Sequence, residues 1–301
     1  MKEKLKQFCQ QHNIDMVGIA PIGPYKELER ILKDRMDKGY LTGMEEQDIS
    51  KRVDPQRTMK DVASIIVCAF PYFIVHQEDA NISKYAYAKD YHLIVKEELE
   101  NIGAFLKEEI DGFIYQTFVD TGPFVDRYLA YLSGIGYFGI NNHIITDRYG
   151  SYVFIGYILN NYPFEPDKPL KKTCIQCGAC MKSCPGGAIL GDFQINPRRC
   201  LSFTTQKKDV LSREEKKLLE KHPMVFGCDI CQDVCPHNQN VSYTPIEAFQ
   251  KSIIYKLEEK EIERISNKAF KRKYGDRAFS WRGRKLILRN LEAQRKTTKD
   301  T

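Results

Sequence analysis

The sequence contains no apolar run approaching the ~18 residues that a membrane span needs. Its opening, Met1-Lys-Glu-Lys-Leu-Lys-Gln-Phe-Cys-Gln-Gln-His12, is polar and helix-like, without the apolar middle of a secretory signal. Both absences lead to the expectation of a cytoplasmic protein that does not enter a membrane. The glycine turn of a nicotinamide- or flavin-binding fold is also missing. Gly134-Ile-Gly-Tyr-Phe-Gly139 fits the letters G-x-G-x-x-G, yet it follows a helix-like stretch, Asp126 to Ser133, instead of a strand, and no βαβ unit surrounds it.

What is present is the composition of a globular protein. The 301 residues are 42% hydrophobic, enough for a substantial core and, at roughly 150 residues per domain, for two or three units. The net charge of +6 is uneven, because residues 251–301 hold 16 Lys and Arg against 7 Asp and Glu. That excess points to a polyanion, nucleic acid ahead of membrane because no lipid-inserting apolar face accompanies it. A solvated helical end would give the same count.

Lys2 to Gln11 and His92 to Ile110 have helical spacing, whereas Ala63 to Phe70, Phe113 to Val119 and Ser151 to Ile158 read as strands. This alternation predicts an α/β domain over residues 1–166. Three prolines, Pro163, Pro166 and Pro169, mark a linker across Asn160 to Leu170. A cysteine-rich module is expected over 167–243, interrupted by a charged helix near Ser212 to Lys221. A short, basic, mostly helical segment follows over 244–301, from about Pro245 onward.

In a reducing compartment, the ten cysteines are not expected to pair as disulfides, and the clustered ones are expected to hold metal. Eight follow the pattern Cys174-x2-Cys177-x2-Cys180-x3-Cys184-Pro185, then Cys200, then Cys228-x2-Cys231-x3-Cys235-Pro236. Eight is the number that two four-iron clusters require. In the bacterial ferredoxin run, the thiolate before proline crosses to the other cluster. That rule assigns Cys174, Cys177, Cys180 and Cys235 to one 4Fe-4S cluster, and Cys184, Cys200, Cys228 and Cys231 to the second. Proline fixes its own φ and holds its predecessor extended, turning the chain away from the cluster. Gly178, Gly186, Gly187 and Gly227 are expected to let backbone amides approach the sulfurs. Structural zinc is the rival, since it also uses Cys-x2-Cys pairs in four-thiolate sites. The x2-x2-x3-Pro run argues for clusters, because zinc sites pair separated knuckles. Cys9, on a polar helix, and Cys68, in an apolar strand, read as small buried hydrophobes.

With every ligand position filled by cysteine, such clusters carry electrons and do no bond chemistry. A reaction site is therefore expected in the α/β domain they feed. Cobalamin is one low-potential acceptor, and its histidine-ligated form uses Asp-x-His-x-x-Gly. Here Asp90-Tyr-His92-Leu-Ile-Val95 ends on valine, so no lower histidine ligand is expected. His92 and His143 read as structural histidines.

Several stretches together resemble one family. They are Lys84-Tyr-Ala-Tyr-Ala-Lys-Asp-Tyr-His92, Val119-Asp-Thr-Gly-Pro123 with Asp126-Arg127, Gly134-Ile-Gly136 with Gly139, and Arg198-Arg-Cys-Leu-Ser202. To these are added Phe226-Gly-Cys-Asp-Ile-Cys-Gln-Asp-Val-Cys-Pro-His-Asn238 and both cysteine motifs. Running from about Arg52 to Asn238, they resemble the epoxyqueuosine reductases, cobalamin- and iron–sulfur-dependent enzymes of the last step to queuosine in tRNA.

The resemblance implies a reductive-dehalogenase-like α/β cobalamin-binding domain, a ferredoxin-like two-cluster module and base-off cobalamin held between them. Loss of the lower ligand eases reduction to cobalt(I), and the alkoxide left by epoxide opening must be protonated. Asp120 matches the family's proton donor, and desolvation in a dry pocket is expected to raise its pKa. It also reads as a turn or capping aspartate before Gly122-Pro123, and Asp126 as structural, capping or pairing with Arg127. Arg52, Asn141 and Ser202 stand where the family contacts the corrin or its tail, and Tyr85 where the pocket is lined. A surface or packing role competes for each.

Two departures accompany the resemblance. The family commonly has Trp-x-Gly-Lys-Asn/His where this chain reads Tyr137-Phe-Gly-Ile140-Asn141. Many relatives also continue into a helical-repeat domain, whose beginning lies here around Arg272 to Gln294. Trp281-Arg-Gly-Arg-Lys285 suits phosphate contact and base stacking, while Leu286, Ile287 and Leu291 form a packing face. The partners expected are tRNA with a queuosine-type anticodon and an external low-potential electron donor, and the protein is expected to be a monomer. Two other readings stay open: a cobalamin-dependent reductase of an organohalide or alkylcobalamin, and a ferredoxin-like electron carrier. The basic tail favours tRNA, and Asp120 favours catalysis over carriage.

Overall fold

The structure, a computed structural model, describes residues 1–75 and 77–295. His76 and the end of the basic segment, 296–301, lie outside the described residues.

Helix α1 spans Lys2–Gln11, β1 Met16–Ala20, α2 Lys26–Asp37, α3 Ile49–Val53 and β2 Ser64–Pro71. Then come α4 (Tyr91–Glu109), β3 (Tyr115–Val119), α5 (Asp126–Leu132), a hairpin of β4 (Tyr137–Phe138) and β5 (Ile144–Ile145), and β6 (Val153–Asn160). The four longer strands form one sheet in the order β1-β2-β6-β3. Helix and strand alternate, which usually signals a parallel sheet, but every neighbouring pair here is antiparallel. Each connection between neighbours thus starts and finishes at one end of the sheet. Strand β1 lacks the alternation that marks a strand from sequence. Its pairing with β2, Met16 opposite Ala69 through Ala20 opposite Ile65, sets it.

All eight residues of β2 are buried because both faces of the sheet are covered. Ile66, Cys68 and Phe70 pack with α1 and α4, while Ile65 and Val67 pack with α2 and α5. The period-2 geometry of a strand thus divides one apolar run between two cores. Helix α4 comes close because β6 offers Gly156, where a Cβ would meet Val95 and Leu99 at 2.8 Å. The proline-marked linker is not loose. Its Asp167 accepts the amide of Ile19 at 2.9 Å and returns its own amide to Ile19 at 2.9 Å, covering the open edge of β1.

The cysteine region carries α6 (Ala179–Ser183), β7 (Ile189–Gly191), β8 (Gln194–Ile195), α7 (Leu201–Gln206), α8 (Arg213–Glu220) and α9 (Ile230–Asp233). A capping box between Ser212 and Glu215 starts α8. Beyond Pro245 only a short 3-10 turn precedes Glu259, so regular helix begins later than the composition suggests. It comprises α10 (Glu259–Arg264), α11 (Asn267–Tyr274) and α12 (Arg284–Arg295). Phe270, Phe279, Ile287 and Leu291 of this part share a core with Ile82, Tyr87 and Phe226. Much of the positive charge is engaged internally. Lys273 pairs with Glu261, Arg284 donates to the Ile262 carbonyl at 2.9 Å, and Arg277 is buried, donating to the Ser252 carbonyl at 2.6 Å. No described helix is long and apolar enough to cross a membrane.

Candidate active site

Between the sheet layers and the cysteine region lies an open cleft with a volume of about 1870 Å³. Arg52, Tyr85, Asp120, Asn141 and Ser202 all line it, although they come from five separate parts of the chain. Cys184, Cys200, Cys228 and Cys231 line the facing wall. The other four thiols, Cys174, Cys177, Cys180 and Cys235, surround a separate small pocket with Ile140 and His237.

The fold holds each group in place for local reasons. Asp90 caps α4 through the amide of His92 at 3.0 Å, and the same oxygen accepts His92 Nδ1 at 2.7 Å. The far side of that ring, Nε2, stands 3.5 Å from Asp120 Oδ2. Tyr91, whose ring lies on His92 and Phe154, donates its hydroxyl to Asp120 Oδ2 at 2.8 Å. Asp120 itself has φ +55°, a left-handed conformation that aspartate tolerates better than most residues. It turns the chain out of β3 and leaves the side chain 61% open to the cleft.

The expectation of a raised pKa at Asp120 is not met. The surrounding walls work to raise it, but the His92 ring 3.5 Å away and the Tyr91 hydroxyl, with the charges of His92 and Arg127, hold the carboxyl below its ordinary value. The neighbouring groups hold the proton instead. Burial opposes charge on His92, yet its two facing carboxylates, Asp120 at 3.5 Å and Asp90 at 2.7 Å, outweigh that and push it up to about 9. Burial, aided by the charge of Asp120, pushes Asp126 up to about 8, and its buried Oδ1 has no hydrogen-bond partner among the described residues. The sequence suggested structural roles for both. Both line the cleft beside Asp120, brought there by a turn that spacing in the sequence does not reveal. Arg35, Arg52 and Arg127 gather in one corner with Glu45 and Glu46; burial lowers the pKa values of Arg35 and Arg52, and repulsion from Arg127 adds to it.

On the opposite wall, Asn141 Nδ2 donates to the Cys231 carbonyl at 3.3 Å, and His143 Nε2 lies 3.8 Å from the Cys231 sulfur. Burial, then Arg127, drives His143 down to about 3, so its ring is neutral. The loop carrying Tyr85 is pinned to this wall by Lys84, paired with Asp233 at 2.7 Å and Asp229 at 3.6 Å. Gly227 permits the approach, because a Cβ there would stand 2.4 Å from that of Ser83 and its φ is +74°. This glycine thus serves the packing of the loop, where amide access to sulfur was expected. Backbone amides do reach sulfur at Cys174, from Gln176 at 3.4 Å, and at Cys184, from Ala188 at 3.2 Å.

The thiols influence one another in two sets. After burial, Cys235, Cys174 and Cys177 push Cys180 up to about 11, whereas Cys200, Cys228 and Cys184 act on Cys231. Among the described residues no three His, Cys, Asp or Glu side chains converge as ligands of one ion would.

Comparison with known proteins agrees with this geometry. Residues 173–238 match a family described as "4Fe-4S double cluster binding domain", and residues 52–121 match "Epoxyqueuosine reductase QueG, DUF1730". An epoxyqueuosine reductase of Listeria monocytogenes is 36% identical over 300 residues, covering 96% of this chain and 79% of that protein. A crystal structure of epoxyqueuosine reductase with an epoxyqueuosine-modified tRNA-Tyr stem loop superposes with a TM-score of 0.89 at 33% identity, over 100% of this chain and 82% of that one. A catabolic reductive dehalogenase shares the fold alone, with a TM-score of 0.51 at 12% identity over 97% of this chain and 36% of that chain. Sequence, fold and double-cluster region point the same way: the chain belongs to the epoxyqueuosine reductase family.

Proposed function

We propose that this chain reduces epoxyqueuosine to queuosine in tRNA. The observation that carries this reading is that Asp120 and four cluster thiols, Cys184, Cys200, Cys228 and Cys231, face the same cleft. Family membership favours it over a small-molecule reductase or an electron carrier. In this reading Cys174, Cys177, Cys180 and Cys235 would hold one 4Fe-4S cluster and the four thiols at the cleft the second; the pair would supply a path for electrons from an external low-potential donor to the cleft.

Base-off cobalamin fits the cleft on three grounds. The volume of about 1870 Å³ exceeds the roughly 300–1,000 Å³ of a drug-sized pocket, leaving room for a corrin and a nucleoside. His92 is held between Asp90 and Asp120, and His143 lies against Cys231, so neither is free to be a lower ligand. The arginine corner suits a phosphate. Arg52, Tyr85, Asn141 and Ser202 would hold the cofactor. When bound, cobalamin in its cobalt(I) state supplies a strong reductant and nucleophile toward an epoxide carbon.

The chain's own residues manage the proton. Asp120, anionic at rest, receives a proton from His92 across the 3.5 Å gap and delivers it to the alkoxide oxygen. Tyr91 fixes the carboxylate throughout. As substrate displaces water, desolvation makes the protonated carboxyl easier to reach.

Anaerobic reconstitution with iron, sulfide and cobalamin tests the reading. The purified chain should retain about eight irons and one corrin, with the absorbance of base-off cobalamin. Bound zinc in place of iron, or a protein that does not retain the corrin, would overturn it.

A further inference from the structure

At the rim of the cleft stands Trp281, the single tryptophan of the chain, 51% exposed. It follows the 3-10 turn Ala278–Ser280 and lines the cleft beside Phe203 and Gln206. A large exposed indole needs a reason, and two interactions show that this one is held and does not hang free. Its Nε1–H donates to Gln206 Oε1 at 3.1 Å. Gln206 is fixed in turn, since its amide donates to the Ser202 carbonyl at 3.1 Å and to Ser202 Oγ at 3.3 Å. The Arg282 guanidinium sits 3.7 Å from the indole centroid, close enough for a cation–π interaction. One ring face is therefore backed by a cation and the edge is anchored, while about half of the residue stays exposed.

The surroundings select the partner. Arg282 Nε has no hydrogen-bond partner, and among the described residues Lys271, Arg272 and Lys285 are exposed and take part in no ion pair with a carboxylate. By contrast, Lys273 and Arg284 are engaged within the fold. A rigid aromatic face backed by a guanidinium, on a helical segment whose exposed Lys271, Arg272 and Lys285 form no ion pair with a carboxylate among the described residues, suits a planar base joined to phosphates. It does not suit a lipid surface, which needs a contiguous apolar patch. We infer that Trp281, backed by Arg282, is a stacking platform for one unpaired nucleobase of the tRNA anticodon loop, next to the nucleotide that enters the cleft. The inference rests on the tRNA reading above and adds a residue that positions the RNA without touching the reacting atoms.

The test uses reconstituted protein and a fluorescein-labelled anticodon stem loop, with binding followed by anisotropy. Trp281→Ala should weaken affinity about ten- to hundred-fold, in line with loss of one base–aromatic stack, while Trp281→Phe keeps most of it. The salt dependence of binding should be unchanged in Trp281→Ala. It should flatten when Lys271, Arg272 and Lys285 become Gln, by about 0.7–0.9 in log–log slope for each phosphate no longer neutralised. One abasic substitution in the loop should erase the difference between wild type and Trp281→Ala. Equal affinities of wild type and Trp281→Ala, with cluster absorbance intact, would overturn the platform while leaving the tRNA reading in place. A wild-type protein that binds no stem loop would remove the tRNA reading itself.

Discussion

Tyr91 binds the Oδ2 atom of Asp120 through a 2.8 Å hydrogen bond, with its ring stacked on Phe154 at a centroid distance of 4.2 Å. A residue at the start of α4 thereby sets the orientation of a carboxylate on the turn after β3. Phe154 lies on β6, the strand that pairs with β3, so the acid is referenced to the sheet itself.

If Asp120 passes the final proton, Asp120→Asn should keep both clusters and the corrin yet lose about 10²- to 10⁴-fold in the chemical step, the usual worth of a positioned acid. Single-turnover assays with mass spectrometry of tRNA nucleosides would measure it. A variant turning over like wild type would remove Asp120 from this role.

His92 carries its proton up to about pH 9. Its charged form dominates below that pH and is lost above, so the single-turnover rate should be level through neutrality and fall as pH rises through about 9. His92→Gln should be slow at neutral pH and lack that alkaline limb. A limb that persists in His92→Gln but disappears in Asp126→Asn would assign the proton to Asp126, which titrates near 8.

Much of this was legible in the sequence, and the exceptions have physical causes. The cysteine spacing divides the thiols into the same two sets that line the two pockets, because it carries the ferredoxin pattern in which the thiolate before proline crosses to the other set. Helix α1 and the apolar β2 were marked by their own periodicity. Strand β1 was not, since a five-residue strand containing Gly18 owes its form to β2. The partnership of His92, Asp120 and Asp126 is tertiary, made by a left-handed turn after β3. How much of the tail's charge is free was not legible, because composition cannot distinguish Lys273, paired with Glu261, from Lys271, which forms no ion pair among the described residues.

Two cysteine variants should separate the clusters. Cys180→Ala should lose the cluster remote from the cleft, and Cys231→Ala the one facing it, each leaving about four of about eight irons. Iron analysis and EPR of the reduced proteins would show one surviving cluster in each case. Loss of both clusters from either variant would count against two separate ligand sets.

Gly156→Ala tests how the sheet and α4 fit together. The new methyl meets Val95 and Leu99 at 2.8 Å, and overpacking of this kind costs about 1–3 kcal/mol. Urea denaturation should show a lower midpoint with little change in slope; an unchanged midpoint would mean that α4 yields freely.

The most direct measurement is conversion of epoxyqueuosine in tRNA by the anaerobically reconstituted chain, read by nucleoside mass spectrometry with and without cobalamin, in wild type and in Cys231→Ala. Queuosine should form only when the corrin is present and the cleft-facing cluster is intact. Queuosine formed without cobalamin, or at full rate in Cys231→Ala, would contradict electron delivery through this wall of the cleft.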